Sequence, residues 1–76
     1  KEGMFKFESS DLSRVIKKLE RFYNIRFSYN DPLLGIIKIS GKLELGENQT
    51  EVLNNLATAA SIEIIKKGEN YYVISN

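Results

Sequence analysis

Histidine, cysteine and tryptophan are absent from this chain of 76 residues, and proline occurs once. Without histidine there is no Ser-His-Asp or Cys-His pair, no imidazole metal ligand and no side chain with an ordinary pKa near neutrality. Without cysteine there is no disulfide, thiolate zinc site or iron–sulfur cluster, an absence compatible with any compartment. Charge of one sign is also lacking, since 11 Lys and Arg meet 10 Asp and Glu for a net +1. That near-balance argues against a nucleic-acid module that works by neutralising phosphates. No run approaches the roughly 18–20 apolar residues needed to span a bilayer. The chain opens at Lys1 without the charged-then-apolar pattern of a signal peptide. It reads as a soluble piece of something longer.

What is present, 42% hydrophobic residues in so short a chain, predicts one domain over residues 1–76 with a single core. Phe5 and Phe7 alternate with Lys6 and Glu8 at the period of a half-buried strand. Ser9, Ser10 and Asp11 offer helix-capping oxygens, and Leu12, Val15, Ile16, Leu19, Phe22 and Tyr23 then form an apolar stripe of roughly 120° on a helix that stops near Asn24. Ile25, Phe27 and Tyr29 alternate as a second strand, ended by the turn-forming Asn30-Asp31-Pro32. A third runs from Ile37 to Leu45, where Gly41 suggests a bend or bulge at which the strand passes between sheets. Asn48 with Glu51 reads as an Asn-led capping box, which accounts for Asn48 better than the glycosylation pattern Asn48-Gln49-Thr50 does. Val52, Leu53, Leu56, Ala57, Ala59 and Ala60 cover a wider arc, roughly 160°, of a second helix. Ile62 to Lys66 and Tyr71 to Ile74 flank Lys67-Gly68-Glu69-Asn70 as a hairpin.

The chain also resembles itself. A shift of 37 places Val15 on Val52, Ile16 on Leu53, Leu19 on Leu56, Phe22 on Ala59, Tyr23 on Ala60, Ile25 on Ile62 and Phe27 on Ile64. A shift of 38 brings Phe5 and Phe7 onto Leu43 and Leu45. The predicted fold is therefore α+β, two βαβ units plus a closing strand in the order β-α-β-β-α-β-β.

Reactive groups are hard to find. The acidic residues fall mostly on polar faces, caps or turns, no serine has a nucleophile-elbow context, and the chain reads as a non-enzyme. Glycines at 3, 35, 41, 46 and 68 make neither GxGxxG nor GxxG, so no phosphate cradle is present and no cofactor or metal is expected. Arg14, Lys17, Lys18 and Arg21 line the polar side of the first helix, with Arg26 beyond. They read either as a solvated face near the negative end of the helix dipole or as a phosphate-binding stripe of a small nucleic-acid module. What remains is surface for a protein partner. Leu33, Leu34 and Ile36 cluster in a loop, where they bind a partner or simply roof the core. Of Tyr71 and Tyr72, one should face outward. Small sheets also leave strand edges, which are templates for a partner strand.

Phe5-x-Phe7, then Leu12, Val15 and the run Leu19-Glu20-Arg21-Phe22-Tyr23-Asn24-Ile25, then Ile39-Ser40-Gly41-Lys42-Leu43, Val52-Leu53-x-x-Leu56 and Tyr72-Val73-Ile74, resemble the C-terminal domain of FecR-type anti-sigma regulators. That domain is similar to the short signalling domain of secretins and TonB-dependent receptors, and the resemblance implies their arrangement, two βαβ units with two helices packed between small sheets. Phe22 stands where the family commonly carries Trp, which keeps an aromatic anchor. The resemblance implies the periplasmic end of an inner-membrane-anchored regulator. Its partner would be the N-terminal signalling domain of an outer-membrane TonB-dependent transporter, and a sigma factor would be reached only through a missing N-terminal portion. It implies no nucleic-acid contact, no membrane contact by this fragment and no catalytic residue. The signalling domain of a transporter or secretin itself is the alternative reading.

Overall fold

The structure, a computed structural model, describes residues 3–46 and 48–76; the acidic residues Glu2 and Glu47 lie outside them. The elements run β1 (Met4–Asp11), α1 (Leu12–Tyr23), β2 (Arg26–Tyr29), a 3-10 turn (Pro32–Ile36), β3 (Lys38–Glu44), α2 (Gln49–Ala60), β4 (Glu63–Gly68) and β5 (Tyr71–Ser75). Strands β1 and β3 form an antiparallel pair. In the second sheet β5 lies between β2, to which it is parallel, and β4, to which it is antiparallel. The α+β class and the strand and helix order are those predicted. Leu12, Val15, Ile16 and Leu19 of α1 and Val52, Leu53, Leu56 and Ala60 of α2 meet Phe7, Ile39 and Leu43 of one sheet and Tyr72 and Ile74 of the other in one buried cluster.

The 37-residue offset is built into the backbone. Both helices have 12 residues and start 37 apart, and Arg14–Phe22 and Glu51–Ala59 share the same succession of buried and exposed positions. Each helix ends on a left-handed residue, Asn24 at φ 57° and Ser61 at φ 56°. The next N–H then reaches back to the carbonyl five residues earlier: Ile25 donates to Glu20 at 3.1 Å and Ile62 to Ala57 at 3.0 Å. This Schellman ending occupies carbonyls that the helix leaves unpaired and turns the chain into the next strand. In the first sheet Phe5 faces Leu43, its own counterpart, as a two-fold axis between the units requires. β2 and β4 are also counterparts and run antiparallel to each other, and β5, which has no counterpart, lies between them.

Several local expectations are corrected. The irregularity assigned to Gly41 lies on the opposite strand: Phe7 pairs with Gly41 and Ser10 with Ile39, so β1 carries the extra residue. Ser9 there adopts φ 48° and its N–H donates to Ser40 Oγ at 2.8 Å. β3 stays with β1 throughout, and Gly41 takes φ 152°, a conformation that L side chains rarely adopt. Asp11 does not cap α1 with its side chain. The register sets it opposite Lys38, whose ammonium donates to Asp11 Oδ1 at 2.6 Å, and the Leu12 N–H goes instead to the Ile37 carbonyl at 2.8 Å. The segment read as a loop at Leu33–Ile36 is a 3-10 turn, which Asp31 Oδ1 starts by accepting from the Leu33 N–H at 3.0 Å. Asn48 caps α2 as read, with Oδ1 accepting from the Glu51 N–H at 3.1 Å.

Candidate functional site

The two units treat their outer strands differently. In the parallel ladder, Arg26 N–H donates to the Asn70 carbonyl at 2.8 Å and Asn30 N–H to the Ile74 carbonyl at 2.8 Å. The alternation then turns the backbone groups of Tyr72 and Ile74 toward β2 and those of Tyr71, Val73 and Ser75 toward β4. Glu63 and Ile65 bond to β5, so Ile62, Ile64 and Lys66 direct their N–H and C=O groups away from it. The Ile62 bond to Ala57 shows that this free edge faces α2. On the other side of the sheet, Phe27 points its N–H outward in the same way, and Glu20 Oε2 accepts it at 2.9 Å. The counterpart of Phe27 is Ile64 and the counterpart of Glu20 is Ala57. A methyl group cannot accept a hydrogen bond, and among the described residues nothing takes the Ile64 N–H.

Where Glu20 would stand there is a groove of about 480 Å³ between α2 and β4. α2 and β4 run in opposite directions along it, so Ala57 lies at the Ile62 end and Thr50 toward Lys66. Its lining includes Leu53, Ala57, Ile64 and Tyr72, and Gln49 Nε2 donates to Tyr72 Oη at 2.7 Å. Thr50, Asn54, Glu63 and Lys66 also line the groove; such mixed walls beside unpaired strand groups suit an added strand, with the backbone groups supplying affinity and the walls selecting side chains.

The residues expected to bind a partner divide by burial. Leu33 and Ile36 are 67% and 65% exposed, and Tyr71 is 42% exposed. Leu34 and Tyr72 are core residues at 5% and 7%, the first on the inner side of the 3-10 turn and the second by the alternation of β5; they brace the surface and do not form it. Tyr71 lies on the outer face of the second sheet, where its hydroxyl meets Ser28 Oγ at 2.8 Å. Ile65, 40% exposed, and Val73 face each other across the ladder on that face. Leu33 and Ile36 follow β2 and lie apart from the β4 edge along the chain. Sequence reading missed Glu20, Ala57 and Ile64 as an edge device, although the 37-residue offset already aligned the two strands that differ. Near Glu20, the Tyr29 hydroxyl has its pKa raised above 10.0, first by burial and then by the Glu20 carboxylate.

The family described as FecR, C-terminal matches residues 4–73. The crystal structure of a candidate anti-sigma factor from Parabacteroides distasonis is similar with a TM-score of 0.77 at 26% sequence identity, over 97% of this chain and 34% of that one. The chain thus spans about a third of that protein. A search of curated proteins gives no significant match.

Proposed function

We propose, on the premise that this chain belongs to the FecR C-terminal family, that it is the docking domain of an anti-sigma regulator and acts by capturing a partner segment on the open edge of β4. The likeness to a candidate anti-sigma factor over 97% of the chain supports the regulator. The observation that carries the docking site is the difference between the units: Glu20 takes the outward N–H of Phe27 on the β2 edge, whereas Ala57 leaves the matching N–H of Ile64 free on the β4 edge, beside a groove lined in part by Leu53, Ile64 and Tyr72. In this reading residues 1–76 fold as one domain on the periplasmic side of the inner membrane. The partner is the signalling domain of an outer-membrane TonB-dependent transporter, and the signal passes through the remainder of the regulator to a sigma factor. Tyr71 and Ile65 extend the contact over the outer sheet face, with Leu33 and Ile36 as a separate apolar contact.

The test installs the missing clamp. Ala57→Glu copies Glu20 into the second unit, so its carboxylate takes the Ile64 N–H and fills the groove. Titrating the isotope-labelled chain with the cognate transporter's signalling domain is expected to shift the Ile64 and Lys66 amides, and the variant, with an otherwise native spectrum, to bind at least tenfold more weakly. Unchanged binding by a folded variant assigns the contact elsewhere, and no shift at high-micromolar partner refutes the docking reading.

A further inference from the structure

Arg14, Lys17, Lys18 and Arg21 occupy successive turns of one exposed face of α1, spanning about 10 Å along the axis. With Phe22 they line a shallow depression on the surface. Phe22 is 50% exposed. Its ring meets Tyr23 edge-on with centroids 4.9 Å apart. Tyr23 is itself fixed, because its hydroxyl donates to the Gly46 carbonyl at 2.8 Å and accepts from the Gly46 N–H at 3.1 Å. Lys18 Nζ lies 5.3 Å above the Phe5 ring. Among the described residues none of the four cations pairs with a carboxylate; the ion pair present is Lys38 with Asp11.

The fold does not ask for this face. At the matching positions α2, with the same length, the same ending and the same pattern of burial, carries Glu51, Asn54, Asn55, Thr58 and Ala59. Each cation on α1 has like-charged neighbours three or four residues away, an arrangement that weakens a helix. The first unit therefore bears an electrostatic strain and an exposed ring that the second shows to be dispensable for folding.

We propose that this face of α1 is a second docking surface whose occupant is an acidic segment of a partner protein. Carboxylates about 10 Å apart would meet Arg14 and Arg21, whose guanidinium forks hold carboxylates in bidentate geometry, with an apolar side chain against Phe22. The inference rests on the reading of the chain as a docking domain but concerns a different surface. Charge decides the class of occupant. The chain nets +1 while these four residues supply +4, so the rest of the chain carries −3. An extended polyanion such as a membrane surface or a nucleic acid meets that near-neutral whole, whereas a short segment seated on the stripe meets the stripe alone. One half-exposed ring is also too little apolar area to enter a bilayer.

The test titrates the labelled chain with a short synthetic peptide that carries glutamates one and two helical turns apart and a terminal leucine. A glutamine version of the peptide, phosphatidylglycerol vesicles and a single-stranded oligonucleotide serve as comparators. The acidic peptide is expected to shift amides within residues 14–22, to lose roughly tenfold in affinity from low to moderate salt, and to lose binding to the Lys17→Glu/Lys18→Glu variant while Ala57→Glu binds it as the parent does. If charge reversal perturbs the spectrum as a whole, Lys17→Gln/Lys18→Gln takes its place. Equal binding of the glutamine peptide, no shift at millimolar acidic peptide, or tighter binding of vesicles or oligonucleotide overturns the proposal. The transporter signalling domain is titrated into the same samples. Should it bind the parent while the acidic peptide does not, the α1 inference falls and the docking reading stands; peptide binding with no response to the signalling domain gives the reverse.

Discussion

Replacing Lys17 and Lys18 together by glutamine removes every adjacent cation pair from the α1 face. Arg14/Lys17 and Lys18/Arg21 are three residues apart, and Arg14/Lys18 and Lys17/Arg21 four apart. Each like-charge pair of this kind costs an exposed helix about 0.2–0.5 kcal/mol, so relieving the four returns about 1–2 kcal/mol at low salt. Two corrections apply. Lysine and glutamine have nearly the same helix propensity, which leaves the backbone term unchanged. Removing the Lys18 ammonium from above the Phe5 ring forfeits about 0.5–1 kcal/mol. The net expectation is a gain of about 0.5–1 kcal/mol, which for a domain of this size raises Tm by roughly 2–8 °C. The Debye length falls from about 30 Å at 0.01 M salt to about 3 Å at 1 M, so the gain must shrink as salt is added. Thermal melts followed by circular dichroism at the two salt concentrations measure both quantities. A variant that melts at or below the parent in low salt, or a gain indifferent to salt, refutes the reasoning that the stripe is held against stability.

Two further substitutions test the frame that presents these surfaces. Ser61→Gly relieves a side chain held at φ 56°, and after allowance for the looser unfolded chain it is expected to stabilise by about 0.5 kcal/mol. Asn24→Gly, at the matching helix end, gains less because asparagine tolerates that region, and denaturant midpoints of the two variants check the order. Tyr29 loses its proton more readily unfolded than folded, since its pKa is raised in the fold by burial and then by Glu20. The stability it contributes is therefore complete below 10.0 and falls as pH rises through the higher folded value. Glu20→Gln is expected to lower the Tyr29 pKa in an NMR titration of its ring, and an unchanged value would show that burial accounts for the whole shift.

The sequence made legible whatever rests on side-chain period and local turn chemistry. Six apolar residues at helical spacing defined α1, Asn48 and Glu51 marked the start of α2, and Gly68 with Asn70 marked the β4–β5 turn. Leu33, Leu34, Ile36, Tyr71 and Tyr72 stood out as apolar residues that could reach the surface, but that Leu33, Ile36 and Tyr71 face outward while Leu34 and Tyr72 are buried depends on how the turn and β5 pack. What could not be read is pairing between distant strands. The parallel union of β2 with β5 joins Arg26 to Tyr71, and no local pattern in either segment announces it. Nor did Asp11 reveal that it would leave its helix for Lys38, since the choice between capping and an ion pair depends on the register of β1 against β3. The Glu20 clamp fell in the same gap, because a glutamate on the flank of an amphipathic helix gives no sign of reaching a strand seven residues on.

Duplication supplies an internal comparison at nearly every position. Val15 and Val52, or Leu19 and Leu56, agree because both members of each pair are buried in one core, where volume and shape decide the residue. Glu20 and Ala57, or Arg14 and Glu51, have equivalent backbone settings and opposite chemistry, so packing cannot be what separates them. The unpaired strand β5 sharpens the contrast. By lying between β2 and β4 it occupies the inner edge of both, and only their outer edges are left to differ. One has its Phe27 N–H taken by a carboxylate from α1, and the other has the matching Ile64 N–H free along α2. With the cations confined to α1, the domain presents a strand template on its second unit and a charged helix face on its first. A partner that uses both must carry an extended segment and an acidic one, a stricter requirement than either surface sets alone.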